Sequence, residues 1–265
     1  MDAVVIAGGI PEPDDPLYRY SLGKPKALLD ICGKPMIQWV LDALSEAETV
    51  DVVVVIGLPE DSGVQCDKVK AFLPNQGDMI NNIRVSVEKV LEFNPTASYV
   101  LAVSSDMPAL TAEATNWVVN TAMQTPEDVY YNVITRQVME SSFPTSRRSY
   151  VRLKDAEVCG GDINVLATKL IKQNESFWRR LVDARKNAMK QAALIGYDTL
   201  ILLLLRMITL ESAVKRVTKR LNLTGRALVC PYAGVGMDVD KPHQLEAMVE
   251  YLTRQAESAG PHRRG

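Results

Sequence analysis

The sequence predicts an α/β protein built on a mainly parallel sheet, with a helical insertion between its later strands. Three observations carry that expectation. Short β-branched runs such as Asp51–Gly57 (DVVVVIG) alternate with amphipathic stretches through the first half of the chain. These runs are continuously apolar, as expected of strands covered on both faces. From Ser176 to Leu223 the pattern turns helical almost throughout, before strand-like segments return at Ala227–Tyr232 and Val235–Asp240.

Taken in order, Val4–Ala7 is a short buried strand that runs into Gly8-Gly9. Pro35–Ala47 sets Met36, Ile37, Val40, Leu41 and Leu44 at helical spacing. Asp51–Gly57 is the next strand, Asn81–Glu92 an amphipathic helix, Tyr99–Ser105 (YVLAVSS) a strand and Ala112–Met123 a helix. Tyr130–Arg136 and Ser149–Val158 read as strands, with a helical start after Gly160-Gly161-Asp162, and a last helix spans about Pro242 to Thr253. The expected organisation is one domain over residues 1–255, an insertion at about 170–225, and a disordered tail over 256–265.

Composition narrows the function. The chain has 265 residues, 47% hydrophobic and 23% charged, which is enough apolar content for a substantial core. A net charge of -2 argues against a dedicated nucleic-acid binder. Cys32, Cys66, Cys159 and Cys230 lie far apart without CxxC spacing, so neither a zinc site nor a disulfide framework is expected. The opening Asp2-Ala3-Val4-Val5-Ile6 has no basic segment before its apolar run, unlike a secretory signal. The longest apolar stretch, Gln191 to Arg206, is interrupted by Tyr197 and Asp198. As a helix it rises only about 21 Å against a hydrocarbon core of ~30 Å, so no transmembrane segment is expected. A cytoplasmic protein is the resulting expectation, and a homo-oligomer is compatible with it.

In an open parallel sheet, ligands bind beyond the carboxyl ends of the strands. Ala7-Gly8-Gly9, Asp106, and Asp238 with Asp240 all fall at such ends in this reading. Each has an ordinary alternative, since a glycine pair makes turns and an aspartate after a strand caps helices. Together, two carboxylates at strand ends can hold one hard cation, with phosphate and water oxygens completing its shell. The stretch Gly23-Lys24-Pro25-Lys26-Ala27-Leu28-Leu29, followed by Gly33-Lys34-Pro35-Met36-Ile37, supplies three lysines on a Gly/Pro-shaped segment. Such lysines either solvate a surface loop or neutralise a polyphosphate.

Arranged this way, the residues resemble the MobA-like NTP transferase family, the nucleotidyltransferases related to molybdenum-cofactor guanylyltransferase, cytidylyltransferases and sugar-phosphate nucleotidyltransferases. The resemblance rests on Ile6-Ala7-Gly8-Gly9, Pro25-Lys26-Ala27-Leu28-Leu29, Gly33-Lys34-Pro35-Met36-Ile37, Gly77 to Ile83 with Asn82 at the polar position, Asp106-Met107-Pro108 and Asp240-Lys241-Pro242-His243-Gln244-Leu245. It covers about residues 1–125 and 226–254. It implies a three-layer α/β/α fold of the nucleotide-diphospho-sugar-transferase type (GT-A/Rossmann-like), and a reaction that moves NMP from an NTP to a phosphorylated acceptor, releasing pyrophosphate. The acceptor would be a sugar phosphate, a polyol phosphate or a cofactor phosphate. By the same resemblance, Ala7, Gly8, Gly9, Lys26, Asn82 and Asp106 bind the nucleotide. Lys26 and Asp106 act in catalysis, and Asp106 with Asp240 or Asp238 holds Mg²⁺. Gly161 and Asp162 meet the acceptor.

Two features depart from the family pattern. The arginine expected shortly after Gly8-Gly9 is replaced by an acidic, proline-stiffened run, Ile10 to Leu17, with Arg19 as a candidate substitute. Asp14 and Asp15 in that run read as a solvated turn or, alternatively, a second cation site. The insertion is strongly basic: Ser176–Arg226 holds eleven lysines and arginines against three acidic residues. A solvated basic face, an anionic membrane surface and an acceptor-phosphate site compete for that charge. The acceptor reading singles out Arg185 and Lys186. Two rival functions stand beside the transferase: a non-catalytic nucleotide or sugar-phosphate binding protein on the same fold, and a metal-dependent glycosyltransferase using Asp238-Val239-Asp240 as its D-x-D.

Overall fold

The computed structural model describes residues 1–173, 192 and 194–258. Its first half follows the predicted alternation. Strand β1 (Asp2–Ile6) leads through the one-turn helix α1 (Tyr18–Ser21) and the small hairpin β2 (Asp30–Ile31) and β3 (Lys34–Pro35) into helix α2 (Met36–Glu46). Strands β4 (Val53–Ile56) and β5 (Val69–Leu73), helix α3 (Met79–Phe93), strand β6 (Tyr99–Ser104) and helix α4 (Ala112–Ala122) follow. The second half holds β7 (Val129–Thr135), α5 (Arg136–Ser142), β8 (Val151–Arg152), β9 (Glu157–Ala167), α6 (Lys169–Gln173), α7 (Tyr197–Leu204), α8 (Leu210–Leu221), β10 (Gly225–Val229) and α9 (Pro242–Ser258).

The main sheet runs β10-β7-β9-β6-β1-β4-β5, with β8 paired to β9. Every pairing that does not involve β9 is parallel, and β9 lies antiparallel to β6, β7 and β8. Because successive strand residues face opposite ways, β1 sends Ala3 and Val5 to one side and Val4 to the other. The first side packs on α2, α4 and α9 through Leu41, Val118 and Met248. The second packs on α3 through Val87 and Val90. This is the expected three-layer α/β/α arrangement. The strand order reverses at β1, whose neighbours β4 and β6 lie on its two sides, so the switch-point crevice opens between the ends of β1 and β6.

Several sequence expectations are corrected. Gly160-Gly161-Asp162 does not precede a helix but lies within β9, a central strand. A Cβ on Gly161 would come within 3.0 Å of both Asn132 and Val235, so glycine lets β9 pass its neighbours closely. Val235–Asp240 is no strand: Ala233–Gly236 forms a 3₁₀ turn, and residues 237–240 run as irregular backbone. Helix α9 extends through Ser258, so the start of the expected tail is helical. Of the basic insertion, residues 174–191 and 193, Arg185 and Lys186 among them, lie outside the described residues. Its described part is two helices and a turn at Arg206, where φ is 57°. These helices cover the β7–β9 end of the sheet through Leu202, Leu203, Ile208 and Ala213. Among the described residues, no helix is long and apolar enough to cross a membrane.

Candidate active site

At the switch point, three segments distant in sequence converge on one ammonium group. The Lys26 Nζ lies 2.5 Å from Asp106 Oδ2 and 2.5 Å from Asp240 Oδ1. Each partner is placed by its backbone. The Lys26 amide donates to Gly9 O at 2.8 Å, which pins the lysine turn under the loop after β1. Asp106 follows β6 directly, and Ser104 Oγ donates to its other oxygen at 2.5 Å. Val239 N donates to Asp106 O at 3.0 Å, clipping the 237–240 segment alongside, and Asp240 N donates to Gln244 Oε1 at 3.0 Å as α9 begins.

The electrostatics are carboxylate-rich. Burial would lower the pKa of Lys26, yet Asp106 and Asp240 outweigh it and hold the group above its ordinary value. Asp162, on β9 beside the end of β6, is pushed up to about 6 by burial and then by Asp106 and Asp240, with Arg148 and Lys26 opposing. A fourth carboxylate, Asp238, is neutralised separately by the Arg148 guanidinium. Asp238 and Asp240 therefore turn to different partners, and Asp238-Val239-Asp240 does not gather as a D-x-D clamp. Among the described residues no group of three His, Cys, Asp or Glu side chains is arranged around one metal position. What is present is two carboxylates, Asp106 and Asp240, facing a common centre.

Next to this centre lies a cleft of about 270 Å³, lined by Gly8, Gly9, Lys26, Asn75, Asn82 and Asp106. Close approach requires glycine at Gly8 and at Gly57 beside it, whereas a Cβ on Gly9 would meet open space. A Cβ on Gly8 would sit 2.8 Å from Asn75, and one on Gly57, where φ is 100°, would collide with the backbone of Gly8. Asn75 Nδ2 donates to Gly8 O at 2.8 Å, tying the loop after β5 to the loop after β1. Asn82, 3% exposed, accepts from Gln76 N at 2.7 Å and donates to Asn75 Oδ1 at 3.1 Å. It thus shapes the 75–77 turn at the cleft wall. Asn75 and Ser104 escaped the sequence reading, although each is a polar residue just beyond, or closing, an apolar strand.

A family model for the MobA-like NTP transferase domain matches residues 3–169, well over half of the chain. The chain belongs to the MobA-like NTP transferase family. Among solved structures, a hypothetical transferase from Thermus thermophilus aligns over 92% of this chain and 98% of its own, at 32% identity and a TM-score of 0.78. A CMP:2-keto-3-deoxy-manno-octonic acid synthetase solved with CTP shares the fold at 16% identity, with a TM-score of 0.58 over 96% of this chain and 99% of that one. A curated relative, the bifunctional protein GlmU of Sorangium cellulosum, is 31% identical over 123 residues, covering 43% of this chain and 24% of the relative. The match thus spans about a quarter of that relative's length.

Within the family frame, no arginine among the described residues lines the cleft in place of the one expected after the glycine pair. Arg19 instead donates to Tyr20 Oη at 2.9 Å and stacks over that ring. Asp15 accepts from Leu17 N at 2.7 Å, which makes the acidic run a capped turn.

Proposed function

We propose that this nucleotidyltransferase moves the nucleoside monophosphate of an NTP onto a phosphorylated acceptor, releasing pyrophosphate. The observation that carries the reading is the convergence of Asp106, Asp240 and Lys26 at the mouth of the glycine-lined cleft. In this reading the backbone from Ala7 to Gly9 lies along the nucleotide, where Gly8 and Gly9 leave room for close approach. Asn75 and Asn82 hold the opposite wall. Lys26, kept charged by its carboxylate partners, meets the negative charge that grows on the departing pyrophosphate.

Asp106 and Asp240 fit a hard cation. Both are oxygen donors drawn together on the Lys26 ammonium, and the nearby Asp162 carboxyl, raised by burial and by these two carboxylates, adds a further acidic group beyond what one lysine neutralises. Mg²⁺ held there by Asp106 and Asp240 would neutralise negative charge that develops on the phosphates. Ser104 positions the Asp106 carboxylate by its hydrogen bond. Asp162, on the acceptor side, would orient the attacking phosphate. Catalysis on this account is positioning and charge neutralisation, with no covalent enzyme intermediate.

Pyrophosphate release is the test. Each NTP, with Mg²⁺ and a panel of sugar, polyol and cofactor phosphates, is incubated with the protein. The reading expects release that requires one NTP and one acceptor class and that disappears in Lys26→Ala. NTP binding without release in any combination, together with tight binding of phosphorylated compounds alone, would favour a binding protein instead.

A further inference from the structure

Helices α7 and α8 are apolar on the face that meets the body of the protein. There Leu202, Leu203, Ile208 and Ala213 pack with Val133, Leu153 and Val158. The outer face of α7 is apolar as well. Ile201, Leu204 and Leu205, with Met207 on the turn that follows, are each more than half exposed, and Leu204 reaches 83%. Scattered apolar residues on a surface are ordinary, but four within the stretch 201–207 form a patch of the kind that marks an interaction site.

Positive charge lies on the same side. Asp198 shares a helical stripe with Ile201 and Leu205. Its carboxylate holds Arg216 at 2.9 Å and Arg220 at 3.0 Å, so α8 lays its cations against the apolar stripe. Gly196 allows that approach, since a Cβ there would come within 2.7 Å of the Arg220 guanidinium. Lys215 and Lys219 line the same hollow, of about 590 Å³, between the two helices. Both lysines are exposed, and neither makes an ion pair among the described residues. From Tyr197 to Arg226 the chain carries six lysines and arginines against Asp198 and Glu211 alone.

We infer that this face of the α7–α8 hairpin seats the protein on an anionic lipid surface. The combination of features selects the partner. Apolar side chains that stand out from a helix and a turn enter the boundary between headgroups and acyl chains, while cations beside them meet the lipid phosphates. Such a boundary is soft and needs no matching pocket. A second copy of the same face is disfavoured, because it would set one row of cations against another. Among the described residues no helix is long and apolar enough to cross a membrane, so the contact is peripheral. The inward residues of α7 and α8 fix the hairpin to the β7–β9 end of the sheet, which gives the seated molecule a defined orientation. The inference is independent of the reaction assigned to Lys26.

The test is co-sedimentation of the full chain with vesicles of phosphatidylcholine alone, or with about one third phosphatidylglycerol, at about 0.1 M and about 0.5 M salt. Wild type is expected to pellet with the anionic vesicles at the lower salt, to leave them at the higher, and to ignore the neutral ones. Lys215→Glu/Lys219→Glu should bind about thirtyfold or more weakly, since each cation near such a surface contributes about fivefold. Leu204→Ser/Leu205→Ser should lose about tenfold or more while keeping every charge. All four positions are exposed, so both variants should melt like wild type. Wild type that stays in the supernatant with anionic vesicles overturns the inference, as does vesicle binding that both variants retain. Self-association through Leu204, or capture of polyglutamate, without vesicle binding would give the face to a second copy or an acidic protein and overturn it equally.

Discussion

Lys26 and Asp240 stand 214 residues apart in the chain and meet at 2.5 Å, closing the site between its first and last segments. The contact explains how a loop near the start and an irregular stretch before the final helix serve one centre. Val239, bonded to Asp106 O, sets the depth of that stretch, and Pro242 opens α9 immediately after it. Between them, Asp240 is left with its carboxylate turned to Lys26, while Asp238 faces the other way.

That division predicts opposite consequences for two neighbouring aspartates. Asp240→Asn is expected to abolish Mg²⁺-dependent turnover with little change in melting temperature, because its side chain is 55% exposed. Asp238→Asn weakens an ion pair whose side chains are 14% and 13% exposed, and is expected to cost stability by roughly 1–3 kcal/mol while kcat persists. Paired melting curves and kinetics check this. A stable, inactive Asp238→Asn beside an active Asp240→Asn would reverse the assignment.

Lys26→Ala is expected to lower kcat by about 10²–10³, with a smaller effect on the KM for NTP, since the charge it meets develops in the transition state. Lys24→Ala, on the exposed neighbour, is the control and should stay close to wild type. If Lys26→Ala only raises KM, the lysine is a ground-state binding group.

The raised pKa of Asp162 makes stability depend on pH. The unfolded chain loses this proton near the ordinary aspartate value of 3.8, and the native chain holds it to about 6. Between those values the native state binds more protons, so this group lowers stability as pH rises through the window, and the loss persists above it. In metal-free buffer, Asp162→Asn should therefore melt higher than wild type at about pH 7.5, with the gain shrinking toward about pH 4.5. A difference in melting temperature that does not vary with pH would show that Asp162 is not held protonated by its surroundings.

Much of this site was legible in the sequence because open parallel sheets place ligands where apolar runs end. Gly8-Gly9 and Asp106 each follow a continuously apolar strand, and both were found that way. Strand β9 was misread for a physical reason. Gly160 and Gly161 look like a turn, but they are small because Tyr131 and Asn132 on the adjoining β7 leave no room for a Cβ. Strand β5 (VKAFL) went unseen because it lies at the sheet edge and stays partly exposed throughout. Arg148 carried no local signal at all. Its importance comes from reaching Asp238, a contact set by the packing of two distant loops.

The central claim is that Asp106 and Asp240 gather a divalent cation and an NTP beside Lys26. Calorimetric titration of the four NTPs into wild type and Asp106→Asn, each with Mg²⁺ and with EDTA, tests it most directly. The account predicts that at least one NTP binds wild type far more tightly with Mg²⁺, and that Asp106→Asn, folded and melting normally, loses that metal-dependent gain. NTP affinity that is the same in EDTA as in Mg²⁺, and the same in Asp106→Asn as in wild type, would contradict it.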